Sequence, residues 1–135
     1  MMAIKSKKST PRHKTGERIF NAPLPLVKMN LYSIIEQIKS EKTWADSDRN
    51  AITIFKTSYL RIVLIGLHEK AELKPHHANG MLSIQVLEGE VVFKTEQEST
   101  QIEKGQMIAL QENVTHSVIA LKESFLLLTL AMKQN

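Results

Sequence analysis

Five histidines and no cysteine set the chemical limits of this 135-residue chain. Without thiols there is no disulfide, no thiolate metal site and no cysteine nucleophile, so a metal would have to be held by His, Asp or Glu. Two imidazole-bearing blocks share one grammar. PHHANGMLSIQVLEG, residues 75–89, places His76 and His77 ahead of a strand-like apolar run that ends at Gly89. GQMIALQENVTHSVIAL, residues 105–121, sets out a glycine, an apolar run, a polar turn, His116 and a second apolar run. Imidazoles ligate divalent metals, move protons near neutral pH and pair with polar ligands. Two such hairpins are expected to bring their rings together at the mouth of a small β-barrel. Of the other histidines, His68 in GLHEKAELK is expected to be exposed, and His13 lies near the N-terminus.

The elements that must position these rings can be read from apolar spacing. AITIFKT, YLRIVLIGL, MLSIQVL, EVVFKT, STQIEK, QMIALQ, HSVIAL and SFLLLTLAM are short, rich in β-branched residues and separated by polar or glycine-containing turns. Segments of this kind predict a mostly β chain, an antiparallel sandwich or jelly-roll β-barrel. Leu31, Ile34, Ile35 and Ile38 recur at helical spacing behind Asn30, a candidate N-cap, which predicts one N-terminal amphipathic helix over 31–42. Before it, Pro23 and Pro25 favour an extended arm. WADSDRN, residues 44–50, reads as a polar turn in which Trp44 caps one end of the barrel and Arg49 ties the turn down. The expected organisation is a disordered basic tail over 1–15, an arm and helix over 16–43, and the barrel over 44–135.

Two strands, around Arg61–Leu67 and Phe125–Ala131, are apolar on both faces, so something has to cover the outer face. The arm and helix are one candidate cover. A second subunit is the other, and a homodimer formed through a sheet is expected. Arg61, inside an apolar strand, is expected to face outward or to be paired within an interface, because a lone buried guanidinium is costly.

Hydrophobic residues make up 42% of the chain and charged residues 24%, ordinary for one soluble domain. No apolar run approaches the roughly 18 residues of a membrane helix. The N-terminal segment has charge but no apolar stretch behind it, so no secretory signal is expected and the cytoplasm is the expected compartment. The net charge of +4 is uneven. Lys5, Lys7, Lys8, Arg12 and Lys14 stand in the first fifteen residues with no acid, which leaves the remainder close to neutral. A basic tail without interleaved aromatics is a solvated extension before it is a nucleic-acid reader, so neither a nucleic acid nor a membrane is an expected partner.

The two blocks resemble the cupin family, in particular its small single-domain bacterial members, over residues 44–132. The second cupin motif runs Gly, five residues, Pro, one, Gly, two, His, three, Asn. This chain offers Gly105, Gln111, Asn113, His116 and Ala120 in those places, so the first glycine and the histidine match. Counting the first motif back from Gly89 puts His76 at its first histidine, Ala78 at its second and Leu82 at its glutamate; a longer spacing puts Pro75 and His77 at the two histidines instead.

The resemblance implies a jelly-roll (cupin) β-barrel of RmlC-like type with His76 and His116 at its mouth. Its apolar walls would come from Leu82, Ile84, Val86, Met107 and Ala109. His76, His77 and His116 form the candidate set for a divalent Zn, Fe, Mn or Ni ion, and no other cofactor is expected. Glu112, beside the turn before His116, is a candidate to orient an imidazole or move a proton. The expected function is binding of a small molecule, with or without a divalent metal, and with little or no intrinsic catalysis. The alternative is a metal-dependent cupin enzyme of the dioxygenase, isomerase or decarboxylase type. A third class is a regulatory or structural protein whose basic tail touches nucleic acid or a partner.

Overall fold

A computed structural model describes residues 25–134. The tail expected over 1–15 and the first part of the arm lie outside the described residues. Helix α1 (Leu31–Ser40) starts where Asn30 Oδ1 accepts the Ser33 N–H at 3.1 Å. Ten residues make a marginal helix in water. Its stripe of Ile34, Ile35 and Ile38 is buried, however, and each such side chain contributes roughly 1.5–3 kcal/mol, enough to hold the helix by packing. The helix stops two residues before the expected boundary, at an extended Glu41, and the chain enters a second short helix, α2 (Lys42–Asp46). Trp44 lies in α2, so the expected turn over 44–50 is a helix end, a bend and the start of a strand. Asn50 ties these pieces together by donating from Nδ2 to the Ile38 carbonyl and to Glu41 Oε1.

Nine strands follow among the described residues: β1 (Arg49–Lys56), β2 (Leu60–Leu67), β3 (Glu72–His76), β4 (Gly80–Glu88), β5 (Glu90–Thr95), β6 (Ser99–Glu103), β7 (Met107–Leu110), β8 (His116–Ala120) and β9 (Ser124–Met132). They form two antiparallel sheets, ordered β1-β2-β9-β4-β7 and β3-β8-β5-β6. The expected closed barrel is therefore two facing sheets with free edges. The strand missing from the sequence reading is β3. It is an edge strand that carries Pro75, and its register with β8 breaks between Leu73 and His76, where proline has no N–H to give.

Each long strand of the five-stranded sheet is apolar on both faces because there are two cores. Between the sheets, Leu67, Leu82, Ile84, Val86 and Leu126 meet Val91, Phe93, Val118 and Ala120. On the outer face, Ile52, Ile54, Leu64 and Phe125 meet Trp44 and the isoleucines of α1. The helix is thus the cover that the doubly apolar strands required, over the half of the sheet it reaches. No helix among the described residues is long and apolar enough to cross a membrane.

The connections give the two ends of the sandwich different characters. Links β2–β3, β4–β5, β6–β7 and β8–β9 cross between sheets at one end. There Gly89 holds φ +98°, and a side chain would collide with the Glu123 carbonyl and Ser124. At the opposite end only β3–β4 and β7–β8 cross, beside two hairpin turns that stay within their sheets.

Gly66 is a packing glycine beneath the helix. A Cβ there would lie 2.7 Å from Phe125 Cε1 and 3.0 Å from Trp44 Cζ3. Gly66→Ala is expected to lower stability by roughly 1–3 kcal/mol in urea unfolding. An unchanged midpoint would contradict the close packing of Trp44 on β2.

Candidate functional site

His76, His77 and His116 lie at the less bridged end. His116 begins β8 and is 2% exposed, in phase with the buried Val118 and Ala120 that face the inner core. His76 ends β3 directly opposite it in the ladder, and the two ring centroids are 4.3 Å apart. His76 is exposed where His116 is buried, so one ring forms the rim and the other the floor. Phe93 stacks on His116 with ring centroids 5.4 Å apart. The loops that carry the rings are tied together by the Asn113 N–H donating to the Ala78 carbonyl at 3.1 Å.

Both rings are oriented in the same way. Nδ1 of His116 lies 2.9 Å from the Val114 carbonyl, and Nδ1 of His76 lies 2.8 Å from the Lys74 carbonyl. A carbonyl only accepts, so Nδ1 carries the proton in the neutral ring and the lone pair is on Nε2. Each ring can therefore accept a hydrogen bond or ligate a cation through Nε2. Burial pushes the His116 pKa below the usual imidazole value, against the pull of the Val114 carbonyl, and His76 and His77 add to the lowering. At neutral pH His116 is thus a neutral base with a free lone pair.

The remaining expected site residues separate by face. Leu82 and Ile84 line the inner core, 5% and 2% exposed, with Leu82 nearer the histidine end and Ile84 deeper. Met107 does not join them. It pairs with Gln85, and Ala109 with Ser83, on the outer face, while Ile108 and Leu110 turn inward beside Ile84 and Leu82. The apolar run QMIALQ offered either phase, and the register decides for the other one. Glu112 pairs with Lys133 at 3.6 Å, and no hydrogen bond joins it to either ring among the described residues. His77 follows the end of β3 and is exposed.

Among the described residues no three His, Cys, Asp or Glu side chains stand close enough to hold a metal ion. The trio His76, His77 and His116 is therefore not assembled, and the apolar Leu82 supplies no carboxylate in its place. Two imidazole nitrogens are a poor match for a resident catalytic metal, which usually has three or more protein ligands.

His68, expected to be exposed, instead stacks on Trp44 with centroids 3.6 Å apart, and its Nε2 lies 2.8 Å from the Trp44 carbonyl. It belongs to the packing under the helix. Arg49 pairs with Asp48, whose carboxyl it holds below the usual range, and donates to the Glu72 carbonyl, fixing the start of β1 to β3.

No family model matches the sequence, and no curated protein matches it. Solved structures do resemble the fold. A cupin superfamily protein from Desulfitobacterium hafniense superposes with a TM-score of 0.67 at 14% identity, over 86% of this chain and 99% of its own. An RmlC-like cupin from Desulfovibrio desulfuricans gives 0.59 at 26% identity, over 64% and 84%. An RmlC-like cupin from Methanocaldococcus jannaschii, described as a double-stranded β-helix, gives 0.58 at 16%, over 64% and 84%.

The lowered pKa of His116 ties stability to pH. Below its ordinary value of 6.5 the unfolded chain takes up a proton that the folded chain refuses until a lower pH. Stability should therefore fall as pH drops through that window, by at most about 1.4 kcal/mol per pH unit, and level off below it. His116→Gln should flatten that part of a urea-derived stability profile. An unchanged slope would mean that the ring is not held neutral by burial.

Proposed function

We propose that this chain, built on the cupin fold, binds a small molecule at the end of the sandwich where His76 and His116 meet. The observation that carries the reading is the pair of Nε2 lone pairs, each left free because Nδ1 is bound to a carbonyl, on rings 4.3 Å apart beside apolar walls. Two acceptors fixed on strands, one buried and one at the rim, suit a ligand that presents a hydroxyl or amine to them and lays an apolar body on Leu82 and Leu110. His76 and His116 are the anchoring residues in this reading, and Leu82 and Ile84 supply the inner wall.

A divalent metal enters only as a weak, exchangeable guest, since it would have two protein ligands. A resident metal enzyme would need a third donor, and His77 is the residue placed to supply one by moving. Zinc is therefore a useful probe of convergence. Untagged protein titrated with Zn2+ in a calorimeter should bind weakly, in the micromolar range or above, and both His76→Ala and His116→Ala should weaken it at least about tenfold. A full equivalent of tightly held metal on purification would promote the enzyme reading. No binding at millimolar zinc would contradict convergent lone pairs.

We also assign the uncovered part of the outer face to a second copy of the chain. A concavity of 290 Å³ lies there, lined mainly by Met81, Ser83, Ala109, Thr129 and Ala131. Met81 and Met107 are both 56% exposed beside it, and β7 presents a free sheet edge. Sedimentation at micromolar concentration should give a dimer that Met81→Glu dissociates. A monomer for the unmodified chain would contradict the assignment.

A further inference from the structure

The helix covers only one end of the outward-facing rows of the five-stranded sheet. Ile62, Thr129, Ser83 and Ala109 are successive ladder partners in one such row, across β2, β9, β4 and β7. Ile62 packs beneath α1, whereas the other three line the uncovered concavity. Arg61, expected to face outward or to be paired in an interface, takes the inward phase beside Leu130. Beyond Ala109 the sheet stops. β7 has β4 on one side and no strand on the other among the described residues, so alternate backbone groups of Met107–Leu110 have no ladder partner. Of the other edges, β3 is interrupted by Pro75, β6 is polar except for Ile102, and β1 runs beside α2. β7 is the edge that borders the concavity, with Met81 and Met107 exposed beside it.

The chain enters α1 at the border of this uncovered area. Val27 and Met29 are half-buried, and Met29, like Ile62, packs against the core beneath the helix. One residue before Val27 the chain stands clear of its own sheet, with Leu26 83% exposed. Residues 20–26 read FNAPLPL. In an extended strand, alternate residues turn their backbone groups to opposite edges and their side chains to opposite faces. Extended, this segment would have N–H donors at Ala22, Leu24 and Leu26 along one edge and none at Pro23 and Pro25 along the other. Such a segment can add to a sheet as its last strand, and it gives a further strand no donors to pair with.

From the free edge of β7, the concavity beside it and the exposed Leu26, we propose that residues 21–26 of one copy add to β7 of a second copy. The N–H groups of Ala22, Leu24 and Leu26 donate to β7 carbonyls, and their side chains, all on one face, lie over Met107, Ala109 and the concavity. Two-fold symmetry makes the exchange reciprocal. The segment supplies what the surface asks for: backbone donors for an unpaired edge and leucines for exposed methionines. The proposal names the part of the second copy that occupies the outer face, and it rests on that reading.

The chain has no cysteine, so introduced pairs report contacts without background. Full-length Leu24→Cys chains are mixed with Ala109→Cys chains, or with Met107→Cys chains for the neighbouring register, and oxidised mildly. A disulfide should join the two different chains, because facing strand residues lie within its reach. Tyr59→Cys, on the exposed β1–β2 turn, should not trap Leu24→Cys. Leu24→Glu should raise the dimer dissociation constant at least about tenfold in sedimentation. Pro23→Ala combined with Pro25→Ala should keep the dimer and let it associate further, since donors return to the outer edge.

A parent dimer with no mixed disulfide at either β7 position, or one that Leu24→Glu leaves unchanged, would overturn the arm assignment and leave the second-copy reading standing. A chain carrying both Leu24→Cys and Ala109→Cys that closes on itself at the mass of one chain would place the arm on its own sheet and overturn the exchange. A monomeric parent would overturn both readings.

Discussion

An imidazole taken out of water must satisfy its N–H, and His116 does so within its own strand approach. The Val114 carbonyl two residues earlier takes the Nδ1 proton. That short-range bond fixes the ring plane and leaves Nε2 as the unused polar atom of the ring. His76 repeats the device with the Lys74 carbonyl on the neighbouring strand, and the β3–β8 ladder sets the distance between the rings. The free Nε2 of each ring therefore follows from a backbone hydrogen bond, with no acid needed to orient either ring.

The remainder of the chain keeps that ladder in place. Both sheets bury one face against each other, and the five-stranded sheet buries part of its second face under α1, where Ile38, Ile52 and Leu64 are fully enclosed. Four crossings brace one end, and at the other the two crossing links are tied to each other by the Asn113 to Ala78 bond.

Most of the strand pattern was legible because period-two alternation, glycine turns and β-branched residues agree along this chain. What escaped had local causes. Strand β3 is short, charged and interrupted by Pro75, so no alternation marks it. The phase of QMIALQ is ambiguous, and only pairing with β4 shows that Ile108 and Leu110, not Met107 and Ala109, look inward. Asn113 stands where the cupin motif carries its second glycine. It adopts φ 59°, a left-handed conformation that asparagine tolerates without a glycine. The place of His68 was unreadable because its stacking partner, Trp44, is twenty-four residues away in sequence. Arg61 was visible as an anomaly in an apolar run, but its direction depended on the β2–β9 register.

The central claim is that two imidazoles share one tautomer and turn their lone pairs toward a common space. Long-range proton–nitrogen correlation NMR on 15N-histidine-labelled protein at neutral pH tests it directly. His76 and His116 should both appear protonated on Nδ1 and bare on Nε2, with a nuclear Overhauser contact between their ring protons. A proton on Nε2 of either ring, or the absence of any contact between them, would contradict it.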